Sequence, residues 1–101
     1  MNVRMHIIPV QNGMGSAPSY QLSLADMQGT GGASATAHFP KLGQLSYALR
    51  RIGFDVESIR FAEKTLKSGF TFTRPGIELS DGDFKKLGIQ QMQRERGGRE
   101  R

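Results

Sequence analysis

A chain of 101 residues has room for one domain and one modest core, and the absence of cysteine excludes disulfide staples, thiol nucleophiles and cysteinyl metal sites. Its net charge of +5 is unevenly placed: Arg4 and Asp26 cancel in the first 40 residues, whereas residues 41–101 carry 13 basic against 8 acidic side chains. With a pI near 10.1, the chain favours polyanionic partners, either nucleic acid or an acidic protein surface.

Residues 1–27 read as an N-terminal β-ribbon. Met5 to Val10 are rich in β-branched side chains, and Pro9, which lacks an N–H, belongs at a strand end or a sheet edge. The turn formers of residues 11–19 lead to Tyr20, Leu22 and Leu24, whose alternation puts them on one face. The opening apolar run is short and interrupted by Pro9, so neither a secretory leader nor a membrane span is expected, and the chain reads as soluble, cytoplasmic and without a membrane partner. Residues 28–37 are small and uncharged, the composition of a flexible linker. Of the 23 Leu, Ile, Val and Phe residues, 16 lie between Leu42 and Ile89, which assigns the compact core to residues 38–89.

After Phe39-Pro40, with Pro40 suited to a first helical turn, Leu42, Leu45, Leu49 and Ile52 recur at helical spacing. Gly53 can take the left-handed conformation that closes this helix, Asp55 caps the next, and Phe54 and Ile59 occupy the positions of a hydrophobic staple across the cap. In the second helix Val56, Ile59, Ala62 and Leu66 form the inward stripe, Arg60, Lys64 and Lys67 share the opposite face, and Phe61 falls outside both. Phe70, Phe72, Ile77 and Leu79 then flank Arg74-Pro75-Gly76, which predicts a short hairpin. Ser80-Asp81-Gly82-Asp83 opens a last short helix, and residues 90–101 read as a disordered basic tail. The expected fold is α+β: an N-terminal β-ribbon, a central αα-hairpin, a C-terminal β-hairpin and a short helix.

The junction Leu49-Arg50-Arg51-Ile52-Gly53-Phe54 resembles DNA-binding helix-turn-helix units over about 20 residues, with glycine in the turn and apolar neighbours beside it. It departs from them in carrying Leu49 where such units place alanine, and in opening the second helix with Val56, Glu57 and Ser58 instead of long donors to base edges. The junction is therefore read as a rigid corner of the core. Arg50 and Arg51 stand either to contact a partner or to complement the helix C-terminal dipole. Residues 79–89 are similar to the stretch before the final helix of sterile alpha motif domains, which are small helical interaction modules, but residues 90–101 lack the apolar periodicity of that helix.

Arg60, Lys64 and Lys67 suit a phosphate backbone, although Glu57 before Arg60 and Glu63 before Lys67 also have the spacing of solvated ion pairs. In the tail, Arg94, Arg96, Arg99 and Arg101 around Gly97-Gly98 resemble RNA-binding arginine-glycine segments, diluted by Glu95 and Glu100. His6 and His38 are the only imidazoles, on separate elements with no nucleophile or orienting carboxylate nearby in sequence, and two histidines fall short of a zinc site. Asp81 and Asp83 lack the further ligands of a calcium loop, and Gly29, Gly31 and Gly32 lack the lysine of a phosphate-binding loop.

The expectation is thus no enzyme, no metal and no cofactor, but a small basic binding or regulatory module. It would contact nucleic acid or a nucleoprotein through Arg50, Arg51, Arg60, Lys64, Lys67 and the arginine tail. The alternative is a protein-interaction module, a homo-dimer included, that uses Tyr47 and Phe61.

Overall fold

The computed structural model describes residues 1–27, 33–89 and the backbone of 93–94. In chain order the elements are β1 (Asn2–Val10), β2 (Ser19–Asp26), β3 (Ala33–Phe39), α1 (Leu42–Arg51), α2 (Val56–Lys67), β4 (Phe72–Glu78), α3 (Asp81–Lys86) and the two-residue β5 (Gln93–Arg94). The strands form one antiparallel sheet in the order β4-β1-β2-β3-β5. One layer of helices lies on it, α1 over β2 and β3, α2 over β1 and β4.

Period-two alternation explains the two faces of the sheet. Val3, Met5 and Ile7 of β1 and Tyr20, Leu22 and Leu24 of β2 are buried, in a register that sets Met5 opposite Leu24 and Ile7 opposite Leu22. β3 continues this face with Ala35 and Ala37, opposite Leu24 and Leu22. Leu45, Ala48 and Leu49 of α1 and Ile59, Ala62 and Leu66 of α2 close the core from above. Full burial of a side chain such as Ile7 or Leu22 contributes on the order of 2 kcal/mol.

The corner between the helices follows its local chemistry. Gly53 has φ +104°, and the Phe54 N–H donates to the Leu49 carbonyl at 3.1 Å, closing α1. The Asp55 side chain accepts from the Ser58 N–H at 2.8 Å, and Phe54 and Ile59 are both buried. At α3, Ser80 and Asp83 form a reciprocal capping box.

Several expectations are corrected. Within the span read as a linker, residues 33–37 belong to β3, because residues 34–37 pair along β2; residues 28–32 lie outside the described residues. In place of a C-terminal hairpin there is the single edge strand β4, paired to β1. Arg74-Pro75-Gly76 makes a bulge in it, not a turn: the register slips between Val3 and Met5, Gly76 takes φ +71°, and Pro75 sits where a missing N–H is tolerated. The N-terminal ribbon is the centre of the sheet, so the core extends well beyond residues 38–89. Finally, Val56 and Phe70 are exposed, and Pro40 precedes Lys41, the N-cap of α1.

Pro9 resolves the apparent conflict between a proline and an interior strand. β4 reaches only as far as Ile7 opposite Phe72, so at Pro9 the β1 strand is locally an edge. The sheet also rules out an all-helical module, whatever the likeness of residues 79–89.

Candidate functional site

The outer surface of the αα-hairpin holds an open groove of about 350 Å³ between α1 and α2. Gly43, Ser46, Tyr47 and Arg50 line it from α1. Val56, Ile59, Arg60 and Glu63 line it from α2. Helical periodicity produces this grouping: residues three and four apart share a face, so the side of each helix next to its buried stripe turns towards the other helix.

Four of the basic residues singled out from the sequence line the groove or continue from it. Arg50 and Arg60 stand on its two walls. Lys64 and Lys67 extend the row along α2, so that Arg60 and Lys67 are about 10 Å apart along the helix axis. Arg51 lies over the Tyr47 ring, 5.7 Å from its centroid, and does not itself line the groove. Arg50 and Arg51 also occupy the last turn of α1, where Lys86 Nζ donates to the Arg51 carbonyl at 3.3 Å.

The ion pairs that the spacing suggests do not form. Ser46 Oγ donates to Glu63 Oε2 at 2.6 Å across the groove, taking the carboxylate four residues before Lys67. Among the described residues, Arg50, Arg60, Lys64 and Lys67 make no salt bridge, and Glu57 makes none either.

The two aromatic candidates do not share a surface. Tyr47 is 63% exposed and lines the groove, whereas Phe61 is equally exposed on the β4 side of α2, where it meets Phe72 edge-on at 6.1 Å. Of the arginine tail, Arg94 pairs through its backbone with Ala33, and Arg96, Arg99 and Arg101 lie outside the described residues.

Sequence reasoning missed Arg74, which it assigned to a turn. Arg74 leaves β4 opposite Met5, passes over the Phe54 ring with 5.0 Å to its centroid, and donates to Ser58 Oγ at 3.0 Å. It thereby ties the bulge to the first turn of α2. Bonds from Ser58 and the charge of Arg74 hold the Asp55 carboxyl below its ordinary pKa, with Ser58 the larger cause. Gly43, Ser46 and Glu63 were also missed as groove residues. A helical projection of both segments would have put them beside Arg50 and Arg60, but only the packing shows that the two faces meet.

His6 and His38 lie on the open face of the sheet, two strands apart, and His6 Nδ1 is 3.0 Å from Thr73 Oγ1. Among the described residues no group of three or more His, Asp or Glu is placed to hold a metal ion, and no helix is long and apolar enough to cross a membrane. Compared with models of protein families, with curated proteins and with solved structures, the chain matches none.

Proposed function

We propose that the protein is a non-enzymatic basic module that binds nucleic acid, alone or in a nucleoprotein, through the outer surface of its αα-hairpin. The observation that carries this reading is the group Arg50, Arg60, Lys64 and Lys67, four exposed cations on adjoining helical faces with no carboxylate of the described residues paired to them. Unpaired cations on a rigid surface release condensed counterions when they meet phosphates, which is the main source of sequence-independent affinity. The arginines of residues 94–101 add to the same charge. A cytoplasmic setting belongs to this reading and is supported by the cysteine-free composition.

Binding measured against salt concentration tests it. Affinity for nucleic acid falls as a power of the salt concentration, and removing one contacting cation, as in Arg60→Ala, lowers the slope by about 0.7 to 0.9. Absence of binding at low salt, or affinity independent of salt, overturns the reading.

A second reading rests on Phe61 and Phe70, which are 63% and 66% exposed beside the edge strand β4. An exposed edge flanked by aromatic rings suits a protein partner or a second copy. Sedimentation across a range of concentrations distinguishes self-association from a strict monomer.

A further inference from the structure

We infer, building on the nucleic-acid reading, that the groove takes an unpaired base, laid beside Tyr47 over Gly43, while the phosphates stay on the rim along Arg50, Arg60, Lys64 and Lys67. The protein would then be a single-strand binder, and the groove would supply stacking in addition to charge.

Three observations converge on this ligand. Tyr47 is a largely exposed ring, braced by Arg51 and lining the groove, so it offers a flat platform whose position is already supported. Gly43, one helical turn before Tyr47, presents no side chain, and a Cβ added there would meet nothing within 4 Å. Packing therefore does not explain a glycine in α1, whereas a flat ligand beside Tyr47 needs the space. The groove is also chemically divided. Glu63 lies within it, and its Oε1 has no hydrogen bond among the described residues. A carboxylate there repels phosphate but accepts the amino group at a base edge, so the base belongs inside and the phosphates belong outside with the cations. A duplex keeps its base faces stacked and its Watson–Crick edges paired, so it cannot lay a base against Tyr47 in this groove.

The test compares three probes of equal length at one low salt concentration by fluorescence anisotropy: a cytosine-rich single strand, an abasic strand with the same phosphates, and a duplex. The single strand is expected to bind at least about fivefold tighter than the abasic strand, the smallest effect of one stacked base. Gly43→Leu, which changes no charge, and Tyr47→Leu should each abolish that difference and leave abasic binding unchanged, whereas Tyr47→Phe should retain it. Urea unfolding of each variant verifies folding, and the wild-type comparison of probes stands if one variant fails to fold. Equal binding of single and abasic strands, or tighter binding of the duplex, overturns the base site while leaving the basic-surface reading intact. Binding of none of the three removes both.

Discussion

Ser46 Oγ donates to Glu63 Oε2 at 2.6 Å, and this contact decides the electrostatics of the αα-hairpin. The carboxylate that helical spacing offers to Lys67 is instead directed across the groove, which fastens α2 to α1 and leaves the lysine without an ion pair among the described residues. Ser46→Ala should therefore act twice. It should lower the unfolding free energy by about 1 kcal/mol, the ordinary worth of a part-exposed bond to a charged acceptor. It should also weaken nucleic-acid binding, because Glu63 becomes free to pair with Lys67. Urea denaturation and a binding titration measure the two effects, and a variant with unchanged stability would show that the bridge contributes nothing.

Asp55 gives the corner a dependence on pH. Its folded-state pKa is lowered by Ser58 and Arg74, so its contribution is fully present above the unfolded value of about 3.9 and is lost as pH falls through the lower folded value. Asp55→Ala should be less stable than the wild type at neutral pH, and the gap should narrow only in strong acid. Asp55→Asn keeps an acceptor for the Ser58 N–H and should lose that pH dependence. Thermal unfolding of the three proteins between neutral and acid pH measures this.

Two glycines of the same hairpin should respond oppositely to alanine. Gly43 lies in the first turn of α1 with open space around it and no positive φ, so Gly43→Ala should stabilise by about 0.5 kcal/mol. Gly53 has φ +104°, a conformation that a Cβ resists, and Gly53→Ala should destabilise by about 1 kcal/mol or more. Equilibrium unfolding of the two variants compares them directly, and two shifts of the same sign would contradict the assignment.

Arg74 should behave as a structural clamp and not as a contact for a partner. Arg74→Lys keeps the charge but loses the planar group over Phe54, so it should cost about 0.5 to 1 kcal/mol. A double-mutant cycle with Ser58→Ala should show coupling, the double variant losing less stability than the sum of the two single variants, which reflects the 3.0 Å bond between them. Nucleic-acid affinity should be little changed, since Arg74 lies beside Phe54 and away from the α1–α2 groove.

Local chemistry was legible wherever near neighbours in sequence supply the whole interaction. The Gly53 stop, the Asp55 cap, the Ser80–Asp83 box and the alternation of Tyr20, Leu22 and Leu24 were all readable, since each depends on residues within a few positions. Where the sequence misled, a distant strand had intervened. Arg74-Pro75-Gly76 has the residues of a tight turn, yet pairing with β1 draws the chain straight and converts them to a bulge. Ala35 and Ala37 read as linker until β2 lies beside them.

The candidate site divides in the same way. Sequence alone determined that Arg50, Arg60, Lys64 and Lys67 lie on solvent-facing sides of two helices, because hydrophobic periodicity leaves them nowhere else to go. Only the tertiary structure decided that those sides adjoin, that Ser46 claims Glu63, and that Tyr47 and Gly43 share the groove while Phe61 faces β4. The physical reason is that periodicity specifies the orientation of a side chain about its own helix axis. Which neighbour it meets depends on long-range packing over a sheet whose central strands come from the other end of the chain.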